Sequence, residues 1–519
     1  MTAAAPPSSM VPGLRRNMVT ICAMTATIMQ ALDTTIANVA LPYMQGTLSA
    51  SQDQINWVLT SYIVAAAIMT APVGWIANRF GRKRIFIICS AGFTIASVLC
   101  GLAQDIGQMV VFRLAQGVFG AALVPLSQAV MLDTYALHER AKAMAIWGMG
   151  VMMGPIMGPS LGAWLTETYS WHWVFFVNLP FGIFTVLGLV IFMDETKKDT
   201  ALRFDWFGFT ALAVGIGALQ LALDRGEQLG WLESNEIKAE FIIAAVGFYY
   251  FFAHSFTTSQ PFIQFALFKD KNFVGGCVFM AVMGLVLFST MALSSPFLQN
   301  VIGYPIITAG VLLASRGCGT FVAMMLVGRM MRLLEARTLI FCGLSITAYS
   351  LYYMTGWTDQ TDVSEIVVIS VLQGFGFGLV FVPLSTVAFL TLPNHLRTDG
   401  TSMLTLMRNV ASSIGISIVI SQLTEGTRRM YANLSQHVNP FNHAMQMPNV
   451  RGMIDMNSDT GRAMADVMVK TQAQIIAFSH DYQLVMLFIL IMIPMTLMIG
   501  STKATLRAQS VAPDHAVME

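Results

Sequence analysis

Charge is what this chain has least of. Of its 519 residues only 11% are Asp, Glu, Lys or Arg, whereas a soluble globular domain carries about 25%. Hydrophobic residues make up 55% and the mean hydropathy is +0.64, which disfavours a soluble enzyme and a nucleic-acid binder. The net balance adds little, since 29 basic and 28 acidic side chains leave +1. Cysteine is also scarce. Cys22, Cys89, Cys100, Cys277, Cys318 and Cys342 all fall in apolar stretches and none forms a CxxC pair. They read as small buried hydrophobes, with neither a disulfide framework nor a metal site. The sequence holds no GxxxxGK[ST] or HExxH motif, so direct ATP drive and zinc proteolysis have no vehicle. The GFGFG run at Gly374–Gly378 sits inside an apolar stretch without a preceding strand, where helix packing accounts for it.

What is present is a series of long apolar runs. A membrane-spanning helix needs about 20 apolar residues. Fourteen segments qualify, near 17–43, 55–77, 85–103, 108–132, 143–166, 174–193, 205–224, 237–256, 273–297, 306–328, 338–356, 364–390, 400–423 and 484–500. The chain therefore reads as an all-α polytopic membrane protein with both termini on one side. Met1–Pro12 is polar and proline-rich and precedes Arg15 and Arg16, so insertion is expected to start from an uncleaved first helix. Cations fix the orientation, because short cytoplasmic loops collect Lys and Arg. Arg15, Arg79, Lys83, Lys198, Arg332 and Arg507 all belong to loops or tails of one side, whereas the opposite short loops carry only Arg225 and Lys238. Both ends are expected in the cytoplasm.

The chain divides accordingly into a tail 1–16, a six-helix bundle 17–193, an inserted helix pair 205–256, a second six-helix bundle 273–500 and a tail 501–519. A polar outer loop at 424–483 interrupts the second bundle; its Gly461–Tyr482 part has a partial apolar stripe compatible with a helix. It reads as a solvated cap or as a docking surface. The two bundles are related. RLAQGVFGAALVPLSQAV from Arg113 recurs as SVLQGFGFGLVFVPLSTVAF from Ser370, and repeats flanking a midplane site are a transporter signature.

Four motifs carry the chemistry. GWIANRFGRKR places Gly74, Asn78, Arg79, Gly81, Arg82 and Lys83 between the second and third spans; its glycines permit a tight turn and close helix approach. Arg113, with Gln116 and Gly117, lies in the fourth span, where an uncompensated cation costs several kcal/mol and is functional by default. GVMMGPIMGPSLG sets Gly150, Gly154, Pro155, Gly158, Pro159 and Gly162 in the fifth, lining one helix face with small residues. LDTTIANVALP brings Asp33 into the first, the one carboxylate placed well inside a span. Burial favours its protonated form, which suits a group that takes up and releases a proton.

Together these stretches resemble the major facilitator superfamily, in particular its fourteen-span drug:proton antiporters of the EmrB/QacA type, and within them the EmrB-like pumps. LDRGEQLGWLES (Leu223–Ser234), WHWVFFVNLPFG (Trp171–Gly182) and the Asn439–Phe441 NPF extend the likeness over nearly the whole chain. Asn78 stands where the family usually has an acid. The resemblance implies a multi-pass protein of a bacterial inner membrane that exports hydrophobic toxic compounds, weak acids and uncouplers among them, in exchange for protons. It implies no enzyme activity, no cofactor and no nucleic-acid partner. It further implies an EmrA-like periplasmic adaptor and a TolC-like outer-membrane channel as partners. Asp33 is then the proton site, tuned by Arg113, and Gln30, Asn38, Trp147, Gln373, Phe377 and Arg408 are candidate substrate contacts. A dedicated exporter of one compound class, such as a fatty acid, siderophore or phenolic, is the alternative on the same fold.

Overall fold

The computed structural model describes residues 13–136, 139–196, 198–199, 203–258, 261–439, 442–443, 447 and 458–498. The tails 1–12 and 499–519, Lys197, and 448–457 of the outer segment lie outside the described residues, as do Pro440 and Phe441 of the NPF triplet.

Among the described residues there is no strand. The first half is built from α1 (Gly13–Thr47), α2 (Gln52–Thr70), α3 (Val73–Phe80), α4 (Arg82–Gly101), α5 (Ile106–Gly120), α6 (Leu123–Thr134), α7 (Arg140–Thr168), α8 (Trp173–Phe176) and α9 (Asn178–Phe192). The inserted pair is α10 (Trp206–Leu229) and α11 (Asn235–Thr257). The second half comprises α12 (Lys271–Pro296), α13 (Ile306–Leu333), α14 (Ala336–Met354), α15 (Val363–Ala388), α16 (Arg397–Ser435) and α17 (Asp459–Met495). Side-chain caps set many helix starts. Ser51 and Gln54 form a capping box on α2, while Asp105, Asp205, Asp270, Asp362 and Ser458 cap α5, α10, α12, α15 and α17. Gly230, left-handed at φ 75°, closes α10.

Among the described residues twelve helices are long and apolar enough to cross a bilayer, or thirteen if the bent pair formed by α2 and α3 counts as one span. The fourteen expected segments each coincide with helix, but α14, over 338–356, is not apolar enough to count on composition. Its Arg337 and its tyrosines dilute an otherwise aliphatic 19-residue run. Some single segments prove to be broken. α2 and α3 meet at 56° around Ala71–Pro72, as expected where proline removes a backbone donor. The segment 424–483 is not a long loop: α16 continues to Ser435 and α17 begins at Asp459. Hydropathy marks where a helix leaves the apolar layer, and these two continue past that point. Their extensions pack on each other, with Gly426 against Ala477 and the Tyr431 hydroxyl donating to Asp466.

In the first half α1 packs on α7 and α9, and α5 on α2 and α4; in the second, α15 packs on α13 and α14, and α16 on α12 and α17. The halves meet along α7 and α13, where Gly310 faces Ser160 and Gly317 faces Ile156, and again where α16 crosses α3 and α6. α10 and α11 approach closely at Gly215 and Gly247, where a Cβ on Gly247 would lie 2.7 Å from the Gly215 nitrogen. α10 then spans the remaining seam. Asp224 accepts from Thr60 of α2, the Gln220 amide donates to the Ser413 hydroxyl at 2.8 Å, and Ser417 donates to the Leu223 carbonyl at 3.0 Å.

Candidate functional site

The densest polar cluster inside the first half forms around Asp33 on α1. It is wholly buried, and Arg113 on α5 is 1% exposed. The guanidinium Nη1 donates to Asp33 Oδ2 at 2.7 Å, and Gln116 Nε2 and Asn178 Nδ2 donate to Oδ1 at 2.7 and 3.2 Å. Arg113 also donates from Nε to the Val58 carbonyl at 2.9 Å and from Nη1 to Gln116 Oε1 at 2.7 Å. Its charge lies 4.3 Å from the Tyr62 ring centroid and 5.6 Å from that of Phe175, within range of cation–π attraction. Asn178 is itself held by Ser97 at 3.0 Å, which donates to the Phe175 carbonyl at 2.9 Å.

Every side chain that touches the Asp33 carboxylate does so through an N–H. That set satisfies an ionised carboxylate, and none of the three donor groups can accept a carboxyl proton. Arg113 is thus the buried counter-charge of the expected proton site.

The glycine-rich face of α7 packs directly against this part of α1. Thr35 donates to the Gly154 carbonyl at 2.9 Å. A Cβ on Gly154 would fall 2.2 Å from the Ala31 backbone, one on Gly158 2.0 Å from Thr35 Oγ1, and one on Gly162 2.9 Å from the Ile36 carbonyl. Gly150 is looser, with its nearest neighbour at 3.6 Å. α7 runs as one helix through Pro155 and Pro159. The motif thus seats the turn that bears Asp33.

The loop motif forms a second cluster, at the end of the bundle where α4 and α16 begin. Gly81 turns the chain between α3 and α4 at φ 99°, and a Cβ there would collide with the Glu195 carboxylate. Arg82 and Arg397, from opposite halves, both bond Asp133, Arg397 at 2.9 Å. Lys83 donates to the Val190 carbonyl at 2.9 Å. Arg79 is half-buried, with one guanidinium nitrogen buried and unpartnered. Asn78 donates to Asp399 of α16 at 3.4 Å, and a Cβ on Gly74 would sit 2.0 Å from Asp399 Oδ1. The acid that faces Asn78 comes from the other half.

The substrate candidates do not form one group. Gln30 joins the Asp33 neighbourhood through Tyr62, at 3.3 Å. Asn38 is exposed. Trp147, 1% exposed, donates to Ser127 at 2.9 Å and stacks across the interface on Phe381, centroids 5.8 Å apart. Gln373 and Phe377 are buried in α15 of the second half. Arg408 is half-buried and bonds only its neighbour Asn409 among the described residues. Sequence reasoning does not find three further carboxyl positions: Asp481, which is buried, and Asp133 and Asp399, which are half-buried. The missing acid at Asn78 was the one signal that pointed to Asp399.

Comparison with known proteins follows the same lines. The pattern described as Major Facilitator Superfamily matches residues 23–416. The multidrug export protein EmrB of Escherichia coli (strain K12) is 34% identical over 445 residues, covering 85% of this chain and 86% of that protein. The fatty acid resistance protein FarB of Neisseria gonorrhoeae is 33% identical, covering 80% and 82%. Among solved structures, a bacterial homolog of the human lysosomal transporter Spinster, inward-facing and unoccupied, superimposes with a TM-score of 0.54 at 17% identity over 94% of this chain and 98% of that one. This last likeness concerns the fold alone.

Proposed function

The chain belongs to the Major Facilitator Superfamily, as a multi-pass membrane transporter of the EmrB type, and on that premise we propose that it is a proton-coupled multidrug efflux antiporter. The observation that carries the proposal is the buried Asp33–Arg113 pair. Proton exchange needs a group that is charged in one access state and neutral in the other. Protonating Asp33 removes the charge that Arg113 pairs with, so the cluster that joins α1, α5 and α9 must loosen. Because α7 seats the same turn of α1 and also forms the seam with α13, that loosening is transmitted to the packing of the halves. Substrate then favours one access state and the proton the other, which is alternating access by population shift.

On this reading the energy source is the proton gradient, with no resident cofactor. The chain sits in a bacterial inner membrane with both termini in the cytoplasm, so the Asp133 cluster lies at the cytoplasmic end. Its substrates are hydrophobic toxic compounds, including weak acids and uncouplers. An EmrA-like adaptor and a TolC-like channel complete a tripartite pump, for which the protruding α16–α17 extensions offer a contact surface. The second reading, a dedicated exporter, is favoured by the FarB relative, a fatty acid resistance protein.

The test is transport in proteoliposomes under an imposed pH gradient, with the native chain and Asp33→Asn, against an acidic uncoupler and a lipophilic cation. Native protein should exchange protons for drug and the variant should not. Gradient-driven efflux that persists in Asp33→Asn sinks the proposal. A substrate panel in an efflux-deficient strain separates the two readings, and counterflow distinguishes either from a channel.

A further inference from the structure

The two halves treat their buried arginines differently. Arg113 is fully bonded and neutralised. Arg316, on α13 of the second half, is 6% exposed, and its only side-chain hydrogen bond is a long one from Nη2 to Ser294 on α12, at 3.3 Å. Its Nε and Nη1 are buried without a partner, and no carboxylate among the described residues pairs with it. A guanidinium does not give up its proton in a protein, so a full positive charge is held here away from water.

The surroundings repeat the pattern. Tyr482 of α17, wholly buried, has its hydroxyl beside Ser294 and the guanidinium, with no hydrogen bond of good geometry to either. Gln373 of α15, also wholly buried, carries an unpartnered Oε1. Its helix touches α13 at this level, where a Cβ on Gly374 would meet the Arg316 carbonyl at 1.8 Å. Helices α12, α13 and α17 thus bring one uncompensated cation with unused N–H donors beside a spare O–H, while α15 adds the unused acceptor of Gln373. Native structures rarely leave such groups unmet, because each costs the desolvation it is never repaid. Asp481, the residue before Tyr482, is also buried without hydrogen-bond partners and makes no bond to Arg316.

We infer that Arg316, with Tyr482 and Ser294, is the recognition site for the anionic head of an amphiphilic substrate, a carboxylate or phenolate on an apolar body. The guanidinium supplies the charge and a donor pair, the tyrosine a hydroxyl donor, and the empty state carries the strain that binding relieves. Trp357, whose buried Nε1 is unpartnered, and Phe297 stack nearby, with centroids 5.7 Å apart; they give the apolar body a wall. This inference rests on the export reading but concerns binding alone.

The experiment uses the full chain in phosphatidylcholine nanodiscs and two probes of equal chain length and opposite charge, dodecanoate and dodecyltrimethylammonium. Affinity and thermal unfolding are read without a proton gradient, so failure here is separate from failure of proton coupling. Arg316→Met should weaken dodecanoate binding by at least about tenfold, a factor of about 1.4 kcal/mol, and leave the cation's affinity unchanged. It should also raise the unfolding midpoint of the ligand-free protein, since it removes an unpaired buried charge. Arg316→Lys should keep part of the dodecanoate affinity, and Tyr482→Phe should lose several-fold while unfolding as the native chain does. Dodecanoate binding within about twofold of native in Arg316→Met overturns the inference. So does a lower ligand-free midpoint in that variant, which would make Arg316 a brace, or stabilisation by added phosphatidylglycerol with no response to dodecanoate.

Discussion

Arg397 of the second half donates to Asp133 of the first at 2.9 Å. Asp133 is shared, because Arg82 closes on it from its own half, so one carboxylate ties the two halves at the end where α16 begins. Asp133→Asn leaves both guanidiniums with a neutral partner. Amide hydrogen exchange over Val73–Phe80 and the start of α16 should quicken at least about tenfold, the effect of losing ~1.4 kcal/mol from a charge-assisted contact. Unchanged exchange there would mean that the tie does not hold this end shut.

Asn78 and Asp399 make a reciprocal test. Asn78→Asp sets a second carboxylate against Asp399, a like-charge contact that should lower the unfolding midpoint and impair efflux. Adding Asp399→Asn restores one acid and one amide with their places exchanged, and should recover most of both. A double variant no better than the single would show that the acid's side of the interface matters, not only its presence.

The glycines of α7 should respond in order of what a Cβ meets. Gly154→Ala strikes the Ala31 backbone, which cannot move aside, and should cost about 1–3 kcal/mol as overpacking does. Gly158→Ala strikes the Thr35 side chain, which can rotate if it gives up its bond to Gly154, so its cost should be smaller. Gly150→Ala should be close to neutral. Unfolding midpoints of the purified variants check the ranking.

Asp33 and Arg113 should show strong coupling. Removing either partner alone strands a buried charge, at about 3–5 kcal/mol. The pair Asp33→Asn with Arg113→Gln leaves no charge stranded and should be more stable than either single variant, while transporting without proton coupling. Additive losses in this cycle would contradict the ion pair as the organising contact.

The stripe Met464, Val467 and Met468 on the α17 extension is 51%, 63% and 50% exposed among the described residues. Replacing Val467 and Met468 with Lys should leave transport in proteoliposomes intact and abolish drug resistance in cells that supply adaptor and channel. Loss of both activities together would place the stripe in the transporter's own fold.

Parts of this site stand out in the sequence for a simple physical reason. A charge inside an apolar run is costly, so Asp33 and Arg113 announce themselves without any knowledge of contacts. The Gly-Pro spacing of α7 does the same, since only close packing justifies it. Asp399 does not: it lies just before the apolar segment 400–423, where a charged residue is ordinary, and its partial burial depends on a glycine of the other half. Asp481 was hidden by the same rule that found the spans, because polar residues before 484 read as loop although the backbone is helical from Asp459. The break between α2 and α3 was likewise invisible, since hydropathy runs smoothly across Pro72. What composition reports is the solvent each segment prefers; which segments share a carboxylate is decided by packing.

The hydroxyl and amide bonds of α10 have a consequence for entry from the lipid. Because this helix is bonded to Thr60 on one side and to Ser413 and Ser417 on the other, it lies across the gap between α2 and α16 like a shutter. An apolar compound dissolved in the bilayer finds that flank covered, and the α7–α13 flank is packed by glycines against side chains. On the export reading, lateral admission on this flank would require α10 to part from one of its two neighbours. The bonds to α16 involve small hydroxyl side chains in successive turns of one helix, a ladder whose rungs such a parting would have to break.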